Sequence, residues 1–287
     1  MKSRKIGYFA KSLFKSIAGR GFACPSCGAK KSAVVDRKYL VTSLRRCEQC
    51  SLLYRAPTSS IEENRDFYQE EYSQGFTSDL PNDAELDRLV RTKFLGSEKD
   101  YAQYIAVLRA LGVSAGDKIL DFGCSWGYGS WQLKEAGYLV RAFEISRPRC
   151  KFAKERLNID ACDDLKLLGD SKFDVLFSAH VLEHVPSVAA VFELARQVVR
   201  PGGLVVSFTP NGSRSFRQKN FGAWRQLWGD VHPNLLDDEF YKAHCPQVIL
   251  ATSPYDLAEL TKKDRIGGEV GSLMGAELLA AFRLPVA

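Results

Sequence analysis

The hydrophobic positions change period several times along the chain, and each change marks an element. From Ile6 to Ile17 the apolar residues (Ile6, Phe9, Ala10, Leu13, Phe14, Ile17) recur at helical spacing, and Gly19 and Gly21 end the pattern. Ser32 to Arg45 reads as a β-hairpin (Val34, Val35, Tyr39, Leu40, Val41). Glu62 to Tyr72 has a helical pattern, Ser73 to Asn82 is loop-like, and Asp83 to Leu111 predicts one or two amphipathic helices. Strand and helix patterns then alternate. Strands are expected over Lys118–Phe122, Tyr138–Phe143, Ile159–Cys162, Phe173–Ser178 and Leu204–Thr209, with helices over Trp126–Ala136 and Ser187–Val199. Such alternation predicts an α/β fold, a parallel sheet with helices on both faces. Val248–Leu250 and Glu277–Leu284 are expected to add an antiparallel strand pair.

Composition changes this picture little. The 287 residues are 45% hydrophobic and 26% charged, ordinary for a globular protein, and exceed one typical domain. No apolar run reaches the ~20 residues that span a bilayer. Charge is informative by placement. The first fifty residues hold twelve Lys/Arg against Asp36 and Glu48, so they supply +10 of a net +6 and the rest of the chain carries −4. A basic front on an acidic body suits contact with something anionic, or is simply a solvated arm. Residues 1–20 would be a helix docked on its own protein, or one making weak peripheral contact with an anionic membrane. Lysines interrupt any signal-peptide core.

The most informative stretch is Asp121-Phe122-Gly123-Cys124-Ser125-Trp126-Gly127, followed by Glu144 at the end of the next strand. Glycine lets a backbone approach a ligand closely, and an acid closing the second strand lies in reach of ribose hydroxyls. The bland alternative is a βαβ turn without a ligand. The same residues spell G-x-S-x-G, a hydrolase nucleophile elbow. Only one convincing strand precedes Ser125, which disfavours that reading.

Asp121, Gly123, Gly127 and Glu144 resemble the class I S-adenosylmethionine-dependent methyltransferases, over roughly residues 95–287, with Ser125 in place of a common middle glycine. The resemblance implies a Rossmann-like sheet and S-adenosylmethionine as cofactor. It implies that Gly123, Cys124, Ser125 and Gly127 wrap the methionine part and that Glu144 takes both ribose hydroxyls. Ile145 beside Glu144, Asp163, and Ala179 and His180 at the end of the fourth strand complete the implied cofactor set. Asp174 would support the cofactor turn, and Arg200 through Asn211 resembles the family's fifth-strand region.

Cys24-x-x-Cys27 and Cys47-x-x-Cys50 make two thiolate knuckles flanking the hairpin. Two such pairs at this spacing predict a zinc ribbon with a closed, structural Zn²⁺ site. A redox dithiol or a disulfide pair is the alternative. Cys124, Cys150, Cys162 and Cys245 are scattered, which suits a reducing compartment and hence the cytoplasm. The expected divisions are a basic helix (1–20), a zinc-ribbon β module (21–58), a helical linker or cap (59–94) and a methyltransferase domain (95–287). A ribbon followed by this domain is similar to bacterial enzymes that methylate sugars and other small metabolites. In such enzymes the intervening segment covers the cofactor, which makes Tyr72 a pocket candidate.

His180-Val181-Leu182-Glu183-His184 fits an inverted zinc-protease motif, but Pro186 leaves room for barely one helical turn. It resembles instead the L-E-H-V segment of small-molecule methyltransferases, where His184 is a candidate general base or a loop-ordering residue. His232 is the second base candidate; His244 reads as structural. Ser187 stands where some ubiquinone-pathway relatives carry a metal-holding acid, so no catalytic metal is expected. Ser178 to Val181 lacks the N/D-P-P-aromatic segment of DNA-base amino methylases. Phe216, Phe221, Trp224 and Trp228, interleaved with Arg214, Arg217, Lys219 and Arg225, would stack a sugar or base, or form a hydrophobic lid. The expected activity is O- or C-methylation of a small molecule, with a nucleotide- or lipid-linked sugar as one acceptor. An RNA methyltransferase gripping phosphates through its basic ribbon, or a non-catalytic cofactor-binding protein, is the alternative.

Overall fold

The computed structural model describes residues 2–59, 79–262 and 267–286. The helix expected over Glu62 to Tyr72, with Phe67, Tyr68 and Tyr72, lies outside the described residues, as do the side chains of Ile6 and Phe9.

Helix α1 (Lys2–Ile17) precedes three antiparallel strands, β1 (Ser32–Lys38), β2 (Thr42–Cys47) and β3 (Leu53–Ala56). The β1–β2 hairpin turns through Tyr39 and Leu40, both at left-handed φ (54° and 61°). The helical pattern from Asp83 to Leu111 resolves into α2 (Asp83–Arg91) and α3 (Ala102–Ala110). The break falls where Lys93 and Phe94 take positive φ, which no helix continues through.

The larger sheet follows in chain order: β4 (Lys118–Phe122), α4 (Tyr128–Glu135), β5 (Leu139–Phe143), α5 (Arg147–Leu157), β6 (Asp160–Cys162), β7 (Phe173–Ala179), α6 (Val188–Val198) and β8 (Val199–Pro210). Beyond it lie α7 (Arg214–Lys219), α8 (Phe221–Gln226), β9 (Asn234–Leu235), α9 (Asp238–His244), β10 (Ile249–Thr252), α10 (Leu257–Leu260), β11 (Gly268–Val270) and β12 (Glu277–Arg283). The eight strands run β11-β10-β12-β8-β7-β4-β5-β6. Strands β8-β7-β4-β5-β6 are mutually parallel, while β12 is antiparallel to both β8 and β10, as the sequence predicts for the closing pair. Strand β8 is longer than its pattern suggested: it begins at Val199, which pairs with Phe173 of β7, and its Leu204–Pro210 stretch pairs with β12.

Alternate residues of the strands feed two cores. Leu120, Leu176 and Val205 pack with Phe192 and Ala195 of α6 on one face. Ile119, Val175, Phe177 and Val206 pack with Val107 and Leu108 of α3 on the other. Both faces are therefore buried, which is why these strands read as continuous apolar runs. The chain runs from β4 outward through β5 and β6, then crosses back to β7 on the other side of β4, so the strand order switches direction between the neighbours β4 and β7. Their carboxyl ends bound the crevice where α/β sheets bind ligands.

The small sheet is not confined to the front of the chain. Its order is β1-β2-β3-β9, with Leu53 paired to Leu235 and Tyr54 to Asn234. Phe216, Trp224 and Trp228 are buried against Leu44, Leu53 and Leu235. Lys38 donates to the Trp228 carbonyl and lies 4.3 Å from its ring centroid. The aromatic segment thus packs on the small sheet, which corrects its expected place as a lid or stacking platform for Trp224 and Trp228. Their large apolar area is spent inside the protein. Asp174 also moves from its expected role. It sits at the start of β7, accepting from the Lys118 backbone N–H at 2.8 Å and pairing with Arg200 at 2.5 Å, at the sheet end opposite the cofactor turn.

Helix α1 docks through polar groups. Ser12 is buried, Lys15 Nζ donates to the Thr58 carbonyl and Ser16 Oγ to that of Val41. Leu13, Phe14 and Ile17 are 40%, 70% and 80% exposed, so the described part of its apolar stripe faces outward. No helix among the described residues is long and apolar enough to cross a membrane.

Candidate functional site

Strand β4 ends in a turn that glycine makes possible. Gly123 and Gly127 have φ of +86° and +92°, and a Cβ on them would lie 2.4 Å from Val181 Cγ2 and 2.8 Å from Ala153 Cβ. Gly127 caps α4, so the helix begins at Tyr128 and Trp126 belongs to the turn. Ser125 also has positive φ, +53°, a conformation costing a non-glycine residue about 1–2 kcal/mol. Two contacts hold it there. Its N–H donates to Glu144 Oε2 at 2.9 Å, and its Oγ accepts from Arg149 Nη1 at 2.7 Å. Arg149, on α5, is buried and was not foreseen, because nothing local in the sequence ties it to Ser125. A serine oxygen that accepts from a guanidinium is not poised as an elbow nucleophile.

Glu144 ends β5 with its carboxyl buried and its other oxygen accepting from Ser146 N–H at 2.8 Å. Burial pushes its pKa up to about 7, against the two N–H donors and Arg149. Burial likewise pushes Asp121 up to about 6, against the Ser130 hydroxyl that donates to it at 2.5 Å. Asp121 thereby ties strand to helix beneath the turn. A buried carboxylate has about four acceptor positions, so Glu144 can still take hydroxyl donors with two N–H bonds in place. The glycine turn and this acid therefore fit the nucleoside part of S-adenosylmethionine. Ile145 next to Glu144 is 37% exposed at the rim, and Asp163 pairs with Arg147 at 3.5 Å nearby. Cys124 departs from its implied role as to the side chain, which is packed with Trp126, Cys150 and Ala153; only its backbone faces the turn.

The end of β7 carries a charged network. Ala179 closes the strand and His180 follows at φ +56°. His180 Nε2 lies 2.7 Å from Glu277 Oε2 and its Nδ1 lies 3.4 Å from Glu183 Oε1. Tyr104 and Tyr255 donate to the two oxygens of Glu277 at 2.7 and 2.6 Å. Burial opposes charge on His180, but Glu183 and Glu277 outweigh it and push its pKa up to about 10. His180 is therefore an imidazolium at neutral pH, a fixed positive charge at the crevice. Glu277 is 97 residues away in sequence, and no spacing rule links the two.

His184 and His232 come together, with ring centroids 4.7 Å apart. His184 Nδ1 lies 2.8 Å from the Val231 carbonyl, and His232 Nδ1 lies 2.9 Å from that of Leu227. Burial lowers the pKa of His184 and keeps it neutral. The segment 180–184 forms no helix, so the two motif histidines do not share a helical face as the protease pattern requires. His244 packs against Phe192 and Phe240.

The four ribbon cysteines converge. Cys24 and Cys50 Sγ are 3.6 Å apart, Cys27 and Cys47 Sγ 3.5 Å, and all four sulfurs lie within 4.8 Å of one another. A zinc tetrahedron with ~2.3 Å bonds has sulfur–sulfur edges of about 3.8 Å. The donor set and its dimensions fit a structural zinc ion better than a disulfide, whose sulfurs would be about 2 Å apart.

Comparison with known proteins agrees with this geometry. Residues 120–207 match the protein family described as "Methyltransferase domain". The chain is 31% identical over 104 residues to methyltransferase GfsG of Streptomyces halstedii, covering 32% of this chain and 37% of that protein. It is 31% identical over 106 residues to ubiquinone biosynthesis O-methyltransferase of Thiobacillus denitrificans, covering 34% and 46%. To 2-methyl-6-phytyl-1,4-hydroquinone methyltransferase of Synechocystis sp. it is 32% identical over 160 residues, covering 53% and 49%. The chain thus spans about a third to a half of the length of the curated relatives it matches. Residues 120–207 thus match a methyltransferase domain, and the turn, the terminal acid and the sheet order give it a Rossmann-like α/β fold.

Proposed function

We propose that this protein transfers a methyl group from S-adenosylmethionine to an oxygen or carbon of a small-molecule acceptor. The observation that carries the reading is the closure of the glycine turn on Glu144, a buried carboxylate set at the end of β5 with acceptor capacity to spare. When bound, the cofactor supplies a methyl group already activated by the sulfonium. The protein's task is then to orient, exclude water and manage one proton. Gly123, Cys124, Ser125 and Gly127 shape the turn, and Glu144 holds the ribose. Ile145, Asp163 and Ala179 border the nucleoside, and His180 sets a positive charge beside it. His184 and His232 are the acceptor-side groups: each has one nitrogen tied to a backbone carbonyl and the other available where the acceptor proton is drawn off.

Within the acceptor class we place first a sugar hydroxyl on a nucleotide or lipid carrier, by likeness to other ribbon-bearing methyltransferases. Structural zinc at Cys24, Cys27, Cys47 and Cys50 belongs to the same reading, with the divisions 1–20, 21–58, 59–94 and 95–287. The outward apolar face of α1 supports weak contact with an anionic membrane surface.

Calorimetric titration with S-adenosylhomocysteine tests the cofactor. Micromolar binding that Glu144→Ala weakens at least a hundredfold is expected. Absence of binding to the folded, zinc-loaded protein overturns the reading. Label transfer from methyl-labelled cofactor to a panel of sugar nucleotides and phenols then identifies the acceptor.

A further inference from the structure

Beside the crevice, a buried carboxylate and two imidazoles converge, with the His180 imidazolium on one side of the carboxylate. Glu183 is 1% exposed and neither of its carboxylate oxygens has a hydrogen-bond partner among the described residues. The neighbours of Oε1 are His180 Nδ1 at 3.4 Å and His184 Nε2 at 3.8 Å. A carbonyl oxygen can only accept, so the Val231 and Leu227 carbonyls fix a hydrogen on Nδ1 of His184 and His232. Nε2 is then the nitrogen of each ring left to bind a metal ion. One ligand atom from each of Glu183, His184 and His232 lies within 4.8 Å of the other two. Backbone carbonyls that orient imidazoles through the far nitrogen are the usual outer shell of a metal-bound histidine. His180 serves one oxygen of Glu183 from 3.4 Å, and three ligand atoms gathered this closely, two of them pre-turned in this way, still fit the coordination of a metal ion.

Against the absence expected from Ser187, and because His232 supplies a ligand from a distant loop, we propose that Glu183, His184 and His232 hold a divalent transition-metal ion whose open positions take an oxygen of the methyl acceptor. Two histidines and a carboxylate favour Zn²⁺, Mn²⁺, Fe²⁺ or Co²⁺ over Mg²⁺ and leave positions free for other ligands. His232 is only partly buried, so the site opens on one side. Val181, two residues before Glu183, covers Gly123 of the cofactor turn, which puts this cluster next to the donor pocket. Ligation uses the Nε2 lone pairs, so His184 and His232 would then be ligands in place of bases, and a hydroxyl bound to the ion would be acidified and pass its proton to water. Its oxygen then forms the bond to the methyl carbon, and the carbon–sulfur bond breaks with its electron pair left on sulfur, giving the neutral thioether. The role of the ion rests on the methyl-transfer reading above; its binding does not.

The test uses the full chain, loaded with zinc, titrated with Co²⁺ and dialysed. One zinc and one cobalt per chain are expected, the cobalt showing visible d–d bands without thiolate charge transfer. Glu183→Gln and His232→Ala should each weaken cobalt binding at least tenfold while the zinc stays. His232 sits on a half-exposed loop and Glu183→Gln keeps the shape, so thermal melting separates ligand loss from misfolding. Cobalt that enters only through thiolate charge transfer, or a second ion that both substitutions leave in place, overturns the site. S-adenosylhomocysteine titration of the same samples is independent: if it fails while the second ion binds, only the role of the ion falls.

Discussion

Ser125 donates its backbone N–H to Glu144 at 2.9 Å, so a turn and a strand end 19 residues apart close on each other. Because the acid is buried with a pKa of about 7, pH acts on it in a defined direction. Between its ordinary value near 4.5 and about 7 the folded protein holds a proton that the unfolded chain has released. Stability of the empty protein from this group therefore falls as pH rises through that window and levels off above it. Ribose hydroxyls donate to the carboxylate and favour the charged form. Cofactor-product affinity should then rise as pH approaches 7, with uptake of a proton from Glu144 by the buffer. Calorimetry in buffers of different ionisation enthalpy reads this directly, and Glu144→Gln should remove the pH dependence.

Ser125 and Arg149 form a pair that can be dissected. Arg149→Ala removes a donor from a buried hydroxyl and should cost about 1–3 kcal/mol in urea denaturation. Ser125→Gly relieves the positive φ and also removes the acceptor. The two changes together should cost measurably less than the sum of the separate ones, with a coupling of about 0.5–3 kcal/mol. Strict additivity would mean that the contact does not hold the turn.

Zinc removal should be felt by the whole protein. The ribbon shares a sheet with β9 and a core with Trp224 and Trp228, so it has no separate unfolding unit to lose. Cys27→Ser, or chelation of the wild type, should lower the melting temperature by about 10 °C in one transition, on the usual scale of a few degrees per kcal/mol for a chain of this size. Two resolved transitions in scanning calorimetry would contradict this account.

The face of α1 turned outward gives a fourth test. Phe14 and Ile17 stand clear of the protein while Ser12, Lys15 and Ser16 face it. The wild type should co-sediment with vesicles containing anionic phospholipid, more weakly at high salt and not with neutral vesicles. Phe14→Ser together with Ile17→Ser should abolish this with little effect on melting. Equal sedimentation of both proteins would remove the membrane from the picture.

Trp228→Ala should cost about 3–5 kcal/mol in denaturant unfolding, because a buried indole is lost from the core of the small sheet and the Lys38 contact goes with it. A loss below about 1 kcal/mol would mean that this core repacks.

The sequence by itself carried whatever is written locally. Period-two and period-3.6 patterns marked the strands and helices of the large sheet, because burial on one or both faces forces those periods. Gly123, Gly127, Glu144 and the two C-x-x-C pairs were readable because a tight turn, a strand-end acid and a knuckle each confine their chemistry to a few neighbouring residues. Tertiary structure decided what depends on distant chain segments meeting. It set Glu277 against His180, Arg149 against Ser125, His232 against His184, and β9 against β3. It also moved Trp224 and Trp228 from an expected lid into the core of the small sheet, and Asp174 to the far end of β7. Spacing cannot encode such encounters, because which residues meet is fixed only when the strands take their order in the sheet and the loops are carried to its carboxyl edge.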